Sequence, residues 1–305
     1  MIEFLEPEKY TLDQLFTGIV QRYGDRPALA FVGEMPFTYN EFEQQVSALK
    51  IQMQELGLQK QDKVVLLVPN SPNWAVAYLA ITTFGAVAVP VMDEFPEADI
   101  EHILNHSEAR GIFIDENMYS GLNLPTLDKI PMVFNLVTLS LLKEPPEDDT
   151  LWQQLHNNIP DRLRKAPATT HSNEQDLDEI REDDLVEILY TSGTTGHSKG
   201  VMLTHRNLVS NIIAGPVILG GISPDSVILG FLPLAHAFGC TNAFLSIIYS
   251  GASIFFLKRK PSPRILMVGM EKVRPTHIGA VPLIFEKIYH RQVVPQIEGN
   301  KLFRW

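Results

Sequence analysis

The stretch YTSGTTGHSKGVMLTHRN, residues 190–207, has the composition of a loop that binds phosphate. Glycines let the backbone adopt a positive φ and come close to a ligand, and successive free N–H groups then form a nest for anions. Hydroxyl side chains add donors, and a lysine adds a point charge suited to phosphate. The residues with these roles, which we predict to bind a polyphosphate, are Thr191, Ser192, Gly193, Thr194, Thr195, Gly196, Ser198, Lys199 and Gly200.

The flanks of this loop predict regular structure on both sides. VEILY before it is a short apolar run of strand length, and THRNLVSNIIAG after it has a helical pattern that Thr204 can cap. A helix that follows the loop directly would add a favourable dipole at its N-terminus. The order Ser198, Lys199, Gly200 differs from the Gly-Lys-Ser/Thr order of a Walker A loop. A flexible linker is the alternative, which the strand and helix flanks disfavour.

Apolar runs alternate with helical patterns along the rest of the chain. KVVLLVPN, AVAVPVM and GIFI are continuous apolar runs of strand length. The segments between and before them have helical spacing, with a T-x-x-E capping box at Thr38 and Glu41 and a helix start at Ser71 and Pro72. Downstream, SVILGFLPLA, ASIFFLK and THIGAV predict strands, and PLIFEKIYHRQ predicts a helix. Continuous apolar strands separated by helices indicate an α/β fold, with layered parallel sheets and helices on both faces.

The alternation weakens before residue 185, and this divides the chain into two α/β subdomains. Residues 171–184, HSNEQDLDEIREDD, hold seven carboxylates beside one arginine. Such charge runs rarely fold, so we interpret the segment as a solvated acidic linker rather than as a surface for a metal or a partner. The prediction is an N-terminal subdomain over residues 1–170 and a second subdomain over residues 185–305 that carries the phosphate loop.

Composition and charge narrow the class of protein. The formal net charge of −11 argues against a nucleic-acid partner, since proteins that bind nucleic acids present a basic surface. The single cysteine, Cys240, excludes an internal disulfide framework and suits a reducing compartment. We find no secretory signal in MIEFLEPEKY, and no uninterrupted apolar run of the roughly 20 residues that a transmembrane segment needs. The expectation is a soluble cytoplasmic protein.

Several histidines are further candidates for a site. His102 and His106 lie four residues apart on a predicted helix, a spacing that can ligate zinc, but neither the glutamate of an H-E-x-x-H motif nor a third ligand accompanies them. We interpret the pair as a solvated helix face. His205 is interpreted as a local polar contact at a helix start, and Cys240 as a small buried apolar residue. His236, in PLAHAFG, is interpreted from its own position as a hydrogen-bonded histidine at the end of a strand.

These segments together resemble the adenylate-forming superfamily. LYTSGTTGHSKGVMLTHRNL resembles the signature Y-T-S-G-[ST]-T-G-x-P-K-G and departs from it at Ser198, where the family usually has proline. Four more segments are similar to further sequence motifs of the family and occur in the same order: FTYNEF, FGAVAVPV, LPLAHAFG and VPLIFEKIY. The last two are similar to the long-chain fatty acyl-CoA ligase branch, although Leu283 stands where that branch commonly has arginine.

The resemblance implies a two-step ligation. A carboxylate, expected to be a fatty acid, attacks the α-phosphate of Mg-ATP to give an acyl-adenylate and pyrophosphate, and coenzyme A then displaces AMP. By resemblance, residues 191–200 hold the β- and γ-phosphates, Lys199 neutralises charge and Thr191 helps to ligate Mg²⁺. His236 is expected where the carboxylate meets the nucleotide, and Gly239 is expected to line the acyl site.

The resemblance covers nearly the whole chain but only about the first half of the family's pattern. Y-G-x-T-E, Y-x-T-G-D and the C-terminal lid with its catalytic lysine do not occur, so we expect an incomplete N-terminal lobe, truncated at its C-terminal end. Three functions stay open: a fatty acid–CoA ligase, an acyl-AMP ligase serving a carrier protein, and a non-catalytic nucleotide- or acyl-binding module with a partner chain that supplies the missing half. We also expect exposed apolar surface and self-association, and a cytoplasmic location that includes peripheral association with membranes.

Overall fold

The computed structural model describes residues 7–143, 179–191 and 198–295. The strands within these residues are β1 (Pro27–Phe31), β2 (Phe37–Thr38), β3 (Lys63–Leu67), β4 (Val87–Val91), β5 (Gly111–Ile114), β6 (Met132–Asn135), β7 (Ser140–Lys143), β8 (Leu185–Thr191), β9 (Lys199–Thr204), β10 (Val227–Gly230) and β11 (Ser253–Phe256). The helices are α1 (Leu12–Tyr23), α2 (Tyr39–Glu55), α3 (Pro72–Phe84), α4 (Glu97–His106), α5 (Glu116–Gly121), α6 (His205–Ile218), α7 (Ala237–Cys240), α8 (Ser246–Tyr249), α9 (Pro263–Val273) and α10 (Pro282–Ile288). Short 3₁₀ or π-helical turns cover Leu127–Lys129, Thr241–Leu245 and Tyr289–Val293.

The strands of the described residues form two mixed sheets. The larger sheet has the order β7-β6-β5-β3-β4-β8-β9, and the smaller sheet has the order β10-β11-β1-β2. Inner neighbours pair in parallel, for example β3 with β4 and β5, and the edge strand β10 is also parallel to β11. The edge strands β2, β7 and β9 pair antiparallel to their neighbours. The predicted α/β fold with helices on both faces of its sheets is confirmed, and the antiparallel edges are a feature that the sequence patterns did not reveal.

Helix α3 lies at the centre of the largest hydrophobic core. Ser71 caps the helix, because its hydroxyl accepts a hydrogen bond from the Trp74 N–H, and Gly85 ends it with a φ of +90°. Every residue from Trp74 onwards in this helix is buried. A helix that is apolar on all sides needs cover on all sides. Helices α1 and α2 and strands of both sheets provide that cover for α3.

The predicted helix over THRNLVSNIIAG is confirmed, since α6 begins after Thr204, which forms a capping box with Asn207. Two other expectations differ from the structure. The phosphate loop does not lead directly into that helix, because residues 199–204 first form strand β9. The segment THIGAV is not a strand, because within the described residues it makes a single bridge, between His277 and Ile228. The capping box of Thr38 at the start of α2 and the helix that begins at Pro282 are confirmed.

The acidic residues 179–184 make ion pairs instead of forming a wholly solvated run. Glu179 pairs with Lys9, and Glu182 pairs with Arg206. Asp184 pairs with Lys60 at 2.8 Å, and the rest of the predicted linker, residues 171–178, lies outside the described residues. Strands from both sides of this segment share a sheet, since β4 pairs with β8 and β1 pairs with β11. The subdomain boundary at this segment stays a prediction.

Several apolar side chains are exposed near the end of the described chain. In and beside α10, about half of the surface of each of Val281, Leu283, Phe285 and Tyr289 is exposed. This agrees with the expectation of exposed apolar surface, and self-association stays a prediction. Among the described residues, no helix is both long enough and apolar enough to cross a membrane.

His205 joins the first helix of the chain to α6. Its side chain is buried, and its Nδ1 accepts a hydrogen bond from the Leu12 N–H at 3.1 Å, a donor that α1 leaves without an internal partner. Burial lowers the pKa of His205 from 6.5 to about 4, although the carboxylates of Asp13 and Asp184 act in the opposite direction. His205 is thus a buried structural contact, in agreement with its interpretation from the sequence.

We predict that His205 destabilises the fold as the pH falls. Because its pKa is lower in the folded chain than in the unfolded chain, stability present above pH 6.5 is lost as the pH falls towards 4. His205→Asn keeps an acceptor for the Leu12 N–H but does not titrate. As the pH is lowered from 7 to 5, the unfolding free energy of this variant should rise by roughly 2 kcal/mol relative to that of wild type. Urea unfolding at the two pH values measures this change. The exposed residue His290 supplies the control, His290→Asn, and equal pH dependence of wild type and His205→Asn would contradict the prediction.

Candidate functional site

The β8–β9 hairpin closes the predicted phosphate loop. Thr191, the last residue of β8, pairs with Lys199, the first residue of β9, and Tyr190 pairs with Gly200. The antiparallel ladder therefore fixes the two ends of the loop beside each other. The predicted ligands that lie outside the described residues are Ser192, Gly193, Thr194, Thr195 and Gly196.

Side chains at the mouth of this loop are available to a ligand. Thr191 and Lys199 are exposed, and Lys199 makes no ion pair with any residue that the structure describes. Ser198 is half-buried, and its hydroxyl oxygen has no hydrogen-bond partner within the described part of the chain. An ammonium group without an internal partner can bind an anion without first breaking an ion pair, and lysine is a common ligand of phosphate.

The dipole of helix α6 does not act on this loop. Thr204, which caps α6, pairs with Leu185 at the opposite end of the hairpin from Lys199. Five residue steps along a strand correspond to about 17 Å, whereas the effect of a helix terminus falls off within its first turn. The expectation of a helix N-terminus beside the loop is therefore wrong, because residues 199–204 continue the antiparallel ladder.

The loop follows the carboxyl end of a strand in a largely parallel sheet, the edge at which such sheets bind ligands. β8 is parallel to β4, and β4 is parallel to β3, so the residues after β3 lie at the same edge. There the Asn70 amide donates to the Leu232 carbonyl at 2.6 Å, and the Leu234 N–H donates to Asn70 Oδ1 at 2.9 Å. Asn70 thus holds the segment before His236 against the sheet that carries the loop. The sequence analysis did not single out Asn70, although a polar residue directly after an apolar strand is a usable signal.

His236 and Gly239 lie together at the start of α7. The His236 side chain is exposed, and its Nδ1 accepts a hydrogen bond from the Phe238 N–H at 3.4 Å. Gly239 is buried, and a Cβ at this position would lie 1.8 Å from the Pro233 carbonyl oxygen. The close approach of two backbone segments therefore requires glycine here. The expected roles of His236 with the carboxylate and of Gly239 with the acyl group stay predictions.

An apolar cavity of about 140 Å³ lies beside this turn. Its lining is mostly apolar and includes Leu234 and Phe238, with Asn242 and His277 as polar groups. The volume is similar to that of an apolar cavity of about 150 Å³ that binds benzene. The cavity can therefore hold a small apolar group or part of a longer one.

We predict that Gly239→Ala distorts the turn that carries His236. The added Cβ would overlap the Pro233 carbonyl oxygen, and overpacking of this kind typically costs about 1–3 kcal/mol. Gly279, which also lines the cavity, supplies a matched control, because a Cβ there would lie 3.7 Å from its nearest neighbour, Leu232. Thermal unfolding should show a lower Tm for Gly239→Ala and little change for Gly279→Ala. Similar Tm values for the two variants would contradict this account of the turn.

Glu187, a carboxylate within the apolar run VEILY, is a buried group that the sequence analysis missed. It lies on β8 opposite Ala88, it is fully buried, and neither carboxylate oxygen has a hydrogen-bond partner within the described residues. Burial raises the pKa of Glu187 from 4.5 to about 7, although the nearby Cys240 thiol and Tyr78 hydroxyl act to lower it. Cys240 is buried, as expected, and burial raises its pKa well above the usual value. The cluster of Glu187, Cys240 and Tyr78 joins β8, the strand that leads into the loop, to α7.

We predict that Glu187 destabilises the fold as the pH rises. Because its pKa is higher in the folded chain than in the unfolded chain, stability present below pH 4.5 is lost as the pH rises towards 7. As the pH is raised from 5 to 8, the unfolding free energy of Glu187→Gln should rise by roughly 2–3 kcal/mol relative to that of wild type. Urea unfolding at the two pH values measures this gain, with the exposed residue Glu271 as the site of the control variant Glu271→Gln. Parallel pH profiles of Glu187→Gln and wild type would exclude the effect.

A family model described as AMP-binding enzyme matches residues 16–301, which include both sheets, the hairpin and the turn of His236. The chain belongs to the AMP-binding enzyme family. This membership confirms the resemblance to the adenylate-forming superfamily that the loop signature and the other sequence motifs indicate.

The relatives of this AMP-binding chain include long-chain fatty acid–CoA ligases. The long-chain-fatty-acid–CoA ligase of Salmonella typhimurium is 28% identical over 321 aligned positions, which cover 98% of this chain and 55% of the relative. Long chain acyl-CoA synthetase 3 of Arabidopsis thaliana is 30% identical over 83% of this chain and 38% of the relative. The chain therefore spans about half the length of the relatives that it matches, or less.

Solved structures of other proteins share the fold of this AMP-binding chain. Apo MatB from Rhodopseudomonas palustris matches with a TM-score of 0.71 and 22% identity, over 93% of this chain and 51% of MatB. The N-terminal subdomain of Klebsiella oxytoca NpsA, in complex with 3-hydroxyanthranilyl-AMSN, matches with a TM-score of 0.68 and 24% identity, over 95% of this chain and 63% of that subdomain. These likenesses confirm the predicted N-terminal lobe.

Proposed function

We propose that the chain is the ATP- and acyl-binding part of an enzyme that activates a carboxylic acid as an acyl-adenylate and transfers the acyl group to coenzyme A. The observation that carries the proposal is the pairing of Thr191 with Lys199 at the mouth of the glycine-rich loop. An apolar cavity, lined in part by the segment that Asn70 holds, adds a place for an acyl group. Membership of the AMP-binding family supports the use of a nucleotide.

In this proposal the two substrates meet between the hairpin and the turn of His236. A carboxylate oxygen of the acid bonds to the α-phosphorus of ATP, and the bond from that phosphorus to the oxygen of the leaving pyrophosphate breaks. Lys199 offsets the negative charge of the pyrophosphate, and His236 orients the carboxylate. Catalysis of such a step consists largely of positioning and charge neutralisation.

Magnesium fits this site as part of the nucleotide substrate. The described residues contain no group of three or more His, Cys, Asp or Glu side chains that could hold a metal ion. Mg²⁺ in nucleotide sites keeps several waters and is bound by one or two protein groups together with substrate phosphates. The exposed hydroxyl of Thr191 can serve as such a protein group. The ion would therefore arrive as Mg-ATP and offset the charge of its phosphates.

A fatty acid is the substrate class that we propose. The names of the relatives support it, since they are long-chain fatty acid–CoA ligases and acyl-CoA synthetases. The mostly apolar lining of the cavity also supports it, because an aliphatic chain is stabilised by burial of its apolar surface. We further propose a cytoplasmic location, on the basis of the single cysteine and the acidic composition.

A nucleotide- and acyl-binding module without turnover is a second candidate. An N-terminal subdomain of similar fold, that of NpsA, forms a complex with 3-hydroxyanthranilyl-AMSN, and this chain covers 63% of that subdomain. That complex supports ligand binding by such a lobe. An acyl-AMP ligase would share the adenylation step and differ in its acceptor, and a partner chain is not part of the proposal.

Fatty-acid-dependent exchange of labelled pyrophosphate into ATP tests the adenylation step. We expect exchange by the wild-type chain and a rate about 10²-fold lower for Lys199→Ala, the usual scale for loss of one group that stabilises developing charge. Lys129→Ala removes an exposed lysine from the Leu127–Lys129 turn and should leave exchange unchanged. Binding of ATP without exchange would favour the binding module, and absence of both would contradict the proposed function.

A further inference from the structure

His106 contacts the strand that leads into the phosphate loop. It lies in the last turn of α4, and its Nδ1 is 2.8 Å from the hydroxyl oxygen of Tyr190. The two rings meet edge to face, with centroids 5.8 Å apart and planes at 86°. His106 is exposed, whereas Tyr190 is buried. The hydrogen bond therefore connects a surface helix to the residue that directly precedes Thr191.

Tyr190 in turn packs over the start of β9. It pairs with Gly200 across the hairpin, and a Cβ at Gly200 would lie 3.3 Å from Cζ of the Tyr190 ring and 2.9 Å from Cγ2 of Ile188. The ring thus occupies the space over Gly200, the neighbour of Lys199. A side chain at position 200 would push the ring away, so the position of the ring and the path of β9 depend on each other.

The protonation of Tyr190 and the packing around His106 both favour the hydrogen bond between these two residues. The Tyr190 hydroxyl, whose pKa is raised by burial, carries its proton at neutral pH and can donate to His106 Nδ1 or accept from it, according to the tautomer of the histidine. The ring of His102, one turn earlier in α4, stacks on His106 with centroids 5.4 Å apart and supports its orientation. The pair of histidines is not completed to a metal site, since the described residues contain no group of three suitable ligands.

We propose that His106 is a positioning residue for nucleotide binding, which acts through Tyr190 to hold Thr191 and Lys199 at the mouth of the loop. The inference rests on the proposed function, because it assigns His106 a part in the site that binds Mg-ATP. His106 does not itself touch the nucleotide in this account. A purely structural role at the end of α4 would lower the unfolding free energy of His106 variants and leave the affinity for the nucleotide unchanged.

Equilibrium binding of Mg-ATP to the full chain, measured by titration calorimetry, tests the inference without requiring turnover. His106→Phe keeps a ring but removes the hydrogen bond, and Tyr190→Phe removes the hydroxyl. Each should raise the Kd by up to about fivefold, the usual scale for one hydrogen bond, and should lower the Tm by only a few degrees, because the bond is also present without the nucleotide. Because both variants remove the same bond, the double variant should also show about a fivefold effect, rather than the roughly 25-fold effect of independent losses. His106→Asn offers an acceptor near the position of Nδ1 and should bind as wild type does.

Tyr119→Phe is the matched control, because it removes a hydroxyl on α5 that makes no hydrogen bond within the described residues. Its Kd should equal that of wild type. An unchanged Kd in His106→Phe, or losses that multiply in the double variant, would overturn the inference and leave the proposed function intact. Absence of Mg-ATP binding by the wild-type chain would overturn the proposed function, and the inference with it.

Discussion

The antiparallel pairing of β8 with β9 is the constraint on which the candidate site depends. It places Thr191 opposite Lys199, so that the two ends of the glycine-rich loop are fixed beside each other. β8 is in turn held parallel to β4 in the larger sheet. The same sheet edge holds the segment before His236, through the two hydrogen bonds of Asn70. Two segments that lie far apart in the sequence are therefore anchored to the same edge of one sheet.

Two buried ionisable groups, Glu187 and His205, lie close to the ends of the β8–β9 hairpin or on it. Their contributions to the unfolding free energy change with pH in opposite directions. Glu187 is a buried carboxylate on the strand that carries the loop, and its ionisation as the pH rises destabilises the fold. His205 lies where α6 leaves the hairpin, and its protonation as the pH falls destabilises the fold. The two effects cover nearly the same pH range with opposite sign. The contributions of these two groups to the stability of the wild-type chain should therefore largely cancel in this range.

The sequence predicts the fold well wherever one local signal dominates. The capping box at Thr38 and the continuous apolar runs of β3, β4 and β5 are such signals, and the structure confirms them. Composition and family signature point to Thr191 and Lys199, which the hairpin brings together, while residues 192–196 of the same loop lie outside the described chain. Local patterns cannot reveal tertiary pairing. No residue of β9 is buried, so no run of core residues marks it as a strand, and Asn70 bonds to Leu232, 162 residues away.

The central claim is that this lobe recognises the polyphosphate of a nucleotide through the hairpin and its loop. The most direct test compares the equilibrium Kd of Mg-ATP with that of AMP on the wild-type chain and on Lys199→Ala. The account predicts that Mg-ATP binds the wild-type chain at least about tenfold more tightly than AMP, the scale of charge-assisted contacts to phosphate, and that Lys199→Ala removes most of this preference. Equal affinities for Mg-ATP and AMP, unchanged by the substitution, would contradict it.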